Sequence, residues 1–372
     1  MKPLLKIGAA GLLFAVVAGC TGHSASDNAQ SQQPEPSDYT TEALAWADSV
    51  VGKMTIEEKV GQLFMPAVYS RSDAVSMEAV RHYVEDIHVG GFVLLKGTSA
   101  EARVLSDSVL RWSRVTPLIG MDAEWGLGMR FSDSPSYPVN RNLRDVDAVR
   151  MFDYGREIAR QARISGVNLI LGPVADVVPP DGGGFIGMRS FGSDAGRVAD
   201  MTVAYSRGLE SGAVMSCAKH FPGHGSASGD SHKSLSVIRK SREALLREDM
   251  EPFRRYAGEG LSGIMVGHLS APSLDSTGRG SSYSEIIIQD YLRGELEFQG
   301  LVLTDALSMG GASGGDALDA LKAGADIVLC PADTRAEITR VIESVRSGDF
   351  PESDLDARVR RILFYKYRFR LG

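Results

Sequence analysis

The residues best suited to do chemistry are concentrated in one short stretch. Residues 217–232 read CAKHFPGHGSASGDSH and contain three of the seven histidines in the chain. Near the end of this stretch, Asp230 lies two positions before His232. Histidine ionises near neutral pH without tuning, and a nearby carboxylate can orient the imidazole and stabilise its protonated form. The stretch therefore predicts a loop capable of acid and base catalysis, with a polar surface turn as the alternative interpretation.

The segment in front of this loop is typical of a buried strand. Residues 212–218 are mostly small or apolar, and they lead into a segment rich in Gly, Ser and Pro. In a parallel barrel, strands open at their carboxyl ends into the loops that carry the catalytic residues. The histidine-rich loop is therefore expected to lie at that end of a strand.

Short apolar runs alternate with amphipathic segments along the rest of the chain. The strand-like runs cover residues 61–68, 91–95, 117–121, 167–171, 214–219, 262–267, 300–304 and 326–330. The helical stretches cover residues 76–88, 100–115, 146–165, 195–211, 242–259, 285–297, 316–323 and 335–347. This alternation predicts an α/β fold, a single-domain (β/α)8 barrel of the TIM type over residues 41–372. A doubly wound sheet is the alternative, but the glycines at 182–184 do not follow the first strand.

The amphipathic pattern also predicts how individual helices pack. The helix over residues 146–165 places apolar side chains close to one face, namely Val149, Phe152, Ile158, Ala159 and Ala162. Residues 43–60 are expected to form one helix that closes the barrel floor. A terminal helix over residues 354–369 is expected to pack on the body through Leu355, Val359, Ile362 and Leu363. Only its basic end, residues 366–370, is expected in solvent.

Polar residues follow several predicted strands in succession. They are Asp122, Glu124, Trp125 and Arg130 after the third strand, Asp176 and Arg189 after the fourth, Lys219 and His220 at the fifth, His268 after the sixth, and Asp305 after the seventh. In a barrel these positions converge on one face. Because a buried unpaired charge is costly, charges at so many strand ends indicate a functional site.

These motifs resemble glycoside hydrolase family 3, in its β-N-acetylglucosaminidase (β-N-acetylhexosaminidase) branch, over residues 41–371. The resemblance is carried by KHFPGHG followed by DSH at residues 219–232, and by TDALSM at residues 304–309. It implies that Asp305 is the catalytic nucleophile. It also implies that His232, paired with Asp230, replaces the usual carboxylic acid as general acid and base. The residues implied to grip the non-reducing sugar are Asp122, Arg130, Arg189, Lys219 and His220.

The activity implied by the resemblance is a retaining exo-β-N-acetylhexosaminidase. Such an enzyme removes terminal β-linked N-acetylglucosamine from peptidoglycan fragments or glycans through a covalent glycosyl-aspartate intermediate. Neither a metal nor an organic cofactor is implied. Cys217 and Cys330 end two different strand-like runs without metal-site spacing, so two unpaired core thiols are expected.

Some alternatives remain open at this point. Trp125 stands where the family often has glycine, and Ser226-Ala227-Ser228-Gly229 lacks a common acidic residue, so the leaving-group preference is not fixed. A β-glucosidase-type member, a phosphorylase and a non-catalytic glycan-binding lipoprotein are the rival functions. The presence of Asp305, Asp230 and His232 favours an enzyme. Three single roles also stay open: Trp125 as a stacking platform or lid, and Asp176 and His268 as loop-fixing or sugar-binding residues. His224 is expected to be structural, with its ring packed under the loop.

The N-terminus predicts export and lipidation. Residues 1–19 combine early lysines with a short apolar core, and VAGC at residues 17–20 resembles a bacterial lipobox. An ordinary secretory signal is the alternative. We expect lipidation at Cys20, a flexible tether over residues 20–40, and a monomer in the bacterial cell envelope, attached to the outer membrane facing the periplasm or the surface. The net charge of -7 argues against a nucleic-acid partner.

Overall fold

The computed structural model of the protein describes residues 36–182, 184–228 and 234–371. Its strands are β1 (Phe64–Met65), β2 (Ala67–Ser70), β3 (Gly91–Gly97), β4 (Leu118–Met121), β5 (Leu169–Ile170), β6 (Met215–Phe221), β7 (Ala227–Ser228), β8 (Ser236–Ile238), β9 (Gly263–Val266), β10 (Leu269–Ser270), β11 (Leu301–Thr304) and β12 (Val328–Leu329). Its α-helices are α1 (Pro36–Val51), α2 (Ile56–Gly61), α3 (Ala74–Glu85), α4 (Ser99–Trp112), α5 (Ala148–Ile164), α6 (Ala195–Ser211), α7 (Arg242–Ala244), α8 (Glu251–Gly258), α9 (Ala317–Ala323), α10 (Thr334–Ser347) and α11 (Glu352–Arg368).

A curled parallel sheet forms the centre of a single α/β domain. Seven strands lie in the order β2-β3-β4-β5-β6-β9-β11, and β1 pairs in parallel with β12. The backbone N–H of Val328 donates to the carbonyl of Leu63 at 2.8 Å, and that of Thr304 donates to the carbonyl of Ile327 at 3.0 Å. The strands β4, β9 and β11 are buried at every position, as expected for a parallel sheet that is covered on both faces.

The predicted alternation of strands and helices is found in the structure. A strand lies in each of the eight predicted runs, and the helix predicted over residues 195–211 has the bounds of α6. The helix predicted over 242–259 is α7 and α8 joined by the π-helical segment Leu245–Asp249, and that over 285–297 is the π-helical segment Ile286–Glu295. Periodicity locates such segments but cannot distinguish a π-helix from an α-helix.

Two helix predictions near the chain ends were wrong in detail. Residues 43–60 form two helices, because Thr55 begins α2 with a reciprocal capping box to Glu58. The first of them, α1, begins at Pro36, ahead of the predicted boundary at residue 41. At the other end, Lys366 is 0% exposed and donates to Gln62 Oε1 at 2.8 Å, so the basic end of α11 is not wholly in solvent.

One of the residues predicted on the packing face of α5 is exposed instead. Val149 is 72% exposed and lies in the first turn of α5, ahead of Met151, the first buried residue of the helix. Of the other residues predicted on this face, Ile158, Ala159 and Ala162 are buried and Phe152 is half-buried. The thiols of Cys217 and Cys330 are buried and unpaired, as expected. Within the described ranges, no helix is both long and apolar enough to cross a membrane.

Candidate active site

Lys219 links two carboxylates at the carboxyl ends of the strands. It lies in β6, and its Nζ donates to Asp122 Oδ1 at 2.6 Å and lies 3.0 Å from Glu124 Oε1. Its side chain is only 3% exposed. Burial would lower the pKa of the Lys219 ammonium, but the negative charges of Asp122 and Glu124 raise it above its ordinary value. Lys219 is therefore a permanent cation at the base of the site.

Asp122 is held by a second cation from its own loop. It follows β4 directly, and Arg130, the residue after the 3-10 helix Leu127–Met129, donates through Nη2 to Asp122 Oδ2. Burial would raise the pKa of the Asp122 carboxyl, but Lys219 and Arg130 lower it well below its ordinary value. Asp122 is therefore ionised, and its orientation is fixed by two donors.

Glu124 completes this cluster and was not among the predicted sugar-binding residues. Arg189 donates to both of its carboxylate oxygens, through Nη2 at 2.8 Å and through Nε at 2.9 Å. Burial would raise the pKa of the Glu124 carboxyl, but Lys219 and Arg189 lower it to about 2. The sequence feature that could have identified Glu124 is its position two residues after Asp122, at the end of the same strand.

The loop that carries Arg189 is fixed by its own backbone contacts. Asn140 Nδ2 donates to the carbonyl of Arg189 at 2.7 Å, and the hydroxyl of Ser190 donates to the carbonyl of Asp176 at 2.6 Å. Burial would lower the pKa of the Arg189 guanidinium, but Glu124 raises it above its ordinary value. The guanidinium is thus a fixed cation that faces the cluster.

Asp176 holds His220 from the far side of the ring. The Nδ1 atom of His220 lies 2.8 Å from Asp176 Oδ2, and the backbone N–H groups of His220 and His224 donate to Asp176 Oδ1 at 3.1 and 2.7 Å. Burial would raise the pKa of the Asp176 carboxyl, but the interaction with His220 lowers it. The peptide bond between Lys219 and His220 is cis. Of the two roles left open for Asp176, the contacts are those of a loop-fixing residue.

Asp305 follows β11 and points its carboxylate into the same region. Its backbone N–H donates to the carbonyl of Val266, and its Oδ1 accepts from the N–H of Ala306 at 2.8 Å. Burial would raise the pKa of the Asp305 carboxyl, but the hydrogen bond from the Ala306 amide and the charge of Lys219 lower it below its ordinary value. The next helix is the 3-10 helix Gly310–Ala312, which begins after Met309, and α9 is capped by Asp316, so Asp305 is not a helix cap.

His268 supports the segment that carries Asp305. Its Nε2 lies 3.1 Å from the carbonyl of Ala306, and the hydroxyl of Ser282 lies 3.2 Å from its Nδ1. A carbonyl accepts only, so Nε2 is the protonated nitrogen. His268 therefore fixes the backbone next to Asp305.

Asp230 and His232, the predicted acid/base pair, lie outside the described residues. The base of their loop is described: β7 pairs antiparallel with β8, with Ala227 opposite Ile238. Where the loop begins, a Cβ on Gly225 would lie 2.0 Å from the carbonyl oxygen of Val177, so only glycine fits there. The described residues on either side of this segment are thus held by the β7–β8 pairing and by the close approach of Gly225 to Val177.

The two remaining residues singled out in the sequence, His224 and Trp125, both contact neighbouring parts of the fold. The ring of His224 contacts that of His220 edge to face, with centroids 5.6 Å apart. Trp125 is half-buried, and its carbonyl accepts the N–H of Tyr137 at 2.9 Å. Among the side chains that the structure describes, no three His, Cys, Asp or Glu residues are grouped to hold a metal ion.

Residues 55–364 match the family described as Glycosyl hydrolase family 3 N terminal domain. The beta-hexosaminidase LpqI of Mycobacterium tuberculosis is 32% identical over 332 residues, covering 83% of this chain and 82% of that protein. A beta-hexosaminidase of Chromobacterium violaceum is 33% identical over 275 residues, covering 68% of this chain and 74% of that protein.

A solved structure of a glycoside hydrolase family 3 beta-N-acetylglucosaminidase from Paenibacillus is also similar. It superposes with a TM-score of 0.79 at 28% sequence identity and covers 86% of this chain. The present chain spans 63% of that protein.

Proposed function

The chain belongs to glycosyl hydrolase family 3, and we propose that it is a β-N-acetylhexosaminidase that removes terminal β-linked N-acetylglucosamine by hydrolysis. The observation that carries this proposal is the position of Asp305. Its buried carboxylate interacts electrostatically with the Lys219 ammonium, which itself belongs to a buried network of cations and carboxylates. In that arrangement a nucleophilic carboxylate lies next to groups that can form hydrogen bonds with sugar hydroxyls.

The sugar-binding subsite consists of Asp122, Arg130, Arg189, Lys219 and His220, with Glu124 as an additional member. Carboxylates accept hydrogen bonds from sugar hydroxyls, and lysine and arginine donate to their oxygens. Because each charge in the network already has an opposite partner, the side chains are held in place before the sugar arrives. Such preorganisation lowers the entropic cost of binding.

Asp305 acts as the nucleophile of a double displacement. Its carboxylate oxygen attacks the anomeric carbon as the bond from that carbon to the leaving oxygen breaks, which forms a glycosyl-aspartate ester. His232 donates a proton to the departing oxygen, while Asp230 orients its imidazole. In the second step His232 removes a proton from water, whose oxygen attacks the anomeric carbon and releases Asp305 with overall retention.

The parallel sheet closes into a (β/α)8 barrel that brings these groups to one face. The support is the set of backbone hydrogen bonds that place β12 between β11 and β1. In such a barrel the loops after successive strands converge. This closure is what would place Asp122, Lys219 and Asp305, which follow β4, lie in β6 and follow β11, around one sugar ring.

The enzyme acts as a monomer, anchored in the bacterial cell envelope through a lipid on Cys20. The support is the sequence pattern of residues 1–19, followed by a polar tether that ends before α1 begins at Pro36 and leads into the catalytic domain. Peptidoglycan fragments that end in β-linked N-acetylglucosamine would be the substrate in that location.

A panel of aryl β-glycosides, assayed with and without inorganic phosphate, tests this function. The proposal expects preferred turnover of the N-acetylglucosaminide and free N-acetylglucosamine as the product under both conditions. Release of N-acetylglucosamine from a purified disaccharide muropeptide would extend the result to peptidoglycan. Preference for the glucoside, formation of a sugar 1-phosphate, or no turnover of any glycoside would contradict it.

A further inference from the structure

The imidazole of His220 lies between two groups of opposite hydrogen-bonding character. Its Nδ1 lies 2.8 Å from Asp176 Oδ2, and its Nε2 lies 3.3 Å from Arg189 Nη2. An ionised carboxylate can only accept hydrogen bonds, and a guanidinium can only donate them. The two neighbours therefore impose different requirements on the two ring nitrogens.

Only one form of the imidazole satisfies both neighbours. With the proton on Nδ1, the ring donates to Asp176, and the Nε2 lone pair accepts from Arg189. The other neutral tautomer would point a lone pair at the Asp176 carboxylate and an N–H at the guanidinium. The imidazolium would also direct an N–H, with a positive charge, at Arg189.

We propose that Asp176 is a positioning residue that fixes His220 as the neutral Nδ1–H tautomer, so that Nε2 is a hydrogen-bond acceptor in the sugar subsite. The tautomer follows from the contacts alone, and the role of Nε2 in sugar binding rests on the proposed function. In the complex the Nε2 lone pair accepts a hydrogen bond from a sugar hydroxyl in place of the 3.3 Å contact with Arg189, so His220 cannot serve as the acid that protonates a leaving group. That assignment separates its role from that of His232.

Asp176 is well placed to impose this tautomer. It is 0% exposed, and its carboxylate accepts the backbone N–H groups of His220 and His224 as well as the ring N–H. These three donors prevent the carboxylate from rotating away. On the other side, Nη2 of Arg189 also donates to Glu124 Oε1 at 2.8 Å, which fixes the direction of its second N–H. Among the described residues, the other charged or titratable groups that interact with this ring are Asp305, His224 and His268.

Asp176→Asn is the informative change because it keeps the shape of the side chain but replaces a carboxylate oxygen, which only accepts hydrogen bonds, with an amide NH2, which donates them. The amide oxygen can still accept the two backbone N–H groups, while the amide NH2 then faces His220 Nδ1 as a donor. The ring proton is expected to move to Nε2, where it opposes Arg189. Asp326→Asn is the matched control: Asp326 is equally buried and is paired with Arg293 and Arg361, away from this ring.

The first readout is the ring ¹⁵N spectrum of histidine-labelled protein at neutral pH, assigned with a His220→Gln variant. In wild type, Nδ1 of His220 should show the shift of a protonated nitrogen and Nε2 that of an unprotonated one. The two shifts should exchange in Asp176→Asn and stay unchanged in Asp326→Asn. A wild-type ring protonated at Nε2, or an unchanged tautomer in folded Asp176→Asn, would overturn the proposal, and the wild-type spectrum decides even if the variant does not fold.

The second readout separates positioning from a merely structural role. For an aryl β-N-acetylglucosaminide, Asp176→Asn should raise KM on the order of tenfold with a smaller fall in kcat, as for one lost hydrogen bond to the sugar. Asp326→Asn should lower stability and leave KM near the wild-type value. An unchanged KM in Asp176→Asn would overturn the role of Nε2. Absence of turnover in wild type with the expected tautomer would count against the proposed function alone.

Discussion

The guanidinium of Arg189 donates to both carboxylate oxygens of Glu124, at 2.8 and 2.9 Å. The Glu124 side chain is 1% exposed, and the Nζ atom of Lys219 lies on the same carboxylate at 3.0 Å. One buried carboxylate thus fixes two of the cations that are proposed to bind the sugar. Removing its charge would leave both cations with less compensation in a region of low dielectric constant.

Glu124→Gln should weaken substrate binding more than it slows the chemical step. The amide cannot accept from Arg189 with both of its terminal atoms, so the guanidinium loses its fixed orientation. We expect KM for an aryl β-N-acetylglucosaminide to rise on the order of 30-fold, or about 2 kcal/mol, with a smaller fall in kcat. Glu157→Gln, in an exposed pair with Arg160 on α5, is the control. A KM within twofold of wild type in Glu124→Gln would contradict the network.

Lys366→Met should change how stability depends on pH. Burial lowers the pKa of the Lys366 ammonium from 10.5 to about 7. Between these values the unfolded chain binds a proton that the folded chain does not, so this lysine adds stability as pH rises through the window. The free energy of unfolding of wild type relative to the variant should therefore rise by up to about 1.4 kcal/mol per pH unit.

Urea unfolding at neutral pH and near the top of that window measures the effect of Lys366. Lys322→Met, which removes an exposed lysine paired with Asp349, serves as the control and should show no comparable trend. A constant difference between wild type and Lys366→Met across the window would show that the buried ammonium keeps an ordinary pKa.

His232→Ala should lose activity in a way that depends on the leaving group. Without the proton donor, substrates with poor leaving groups should lose rate in glycosylation by roughly 10²–10⁴-fold, whereas an activated aryl glycoside should be largely rescued. Asp230→Ala should be milder, because the aspartate orients the imidazole and does not transfer the proton. Rates measured over a series of aryl glycosides test this. If the rates of both variants do not depend on the pKa of the leaving group, the pair is not the acid and base.

Cys20→Ser should release the protein from membranes. The expectation rests on the short apolar core that ends in VAGC at residues 17–20. Partition between detergent and aqueous phases, measured on protein expressed with its own leader in a bacterial host, distinguishes the two forms. A variant that still enters the detergent phase would mean that another element anchors the protein.

The parts of the fold that repeat along the chain were predictable, and the contacts across it were not. Apolar runs located the strands, and periodicity gave the bounds of α6, because both signals depend on neighbouring residues. Glu124 was expected among the polar strand-end residues but was not assigned to the sugar subsite, because its partner Arg189 lies 65 residues away on another loop. Lys366 was assigned to solvent because its position in a basic helix end cannot reveal that Gln62 and the Gly90 carbonyl accept its N–H groups.

The role of Asp176 was open for the same reason. A carboxylate after a strand can bind a ligand or hold a loop, and the choice depends on what faces it. Here two backbone N–H groups and the His220 ring face it, and these come from the end of β6 and the turn that follows. Sequence spacing placed both segments at the same end of the sheet but could not orient one toward the other.

The central claim is that Asp305 is the nucleophile, and covalent trapping tests it most directly. Wild type incubated with a 5-fluoro-N-acetylglucosaminyl fluoride should carry one sugar mass on the peptide that contains Asp305. Asp305→Ala should fail to label and should lose several orders of magnitude in kcat, on the order of 5 kcal/mol or more, because the covalent route disappears. A label on a different carboxylate, or near-normal turnover by Asp305→Ala, would contradict the mechanism.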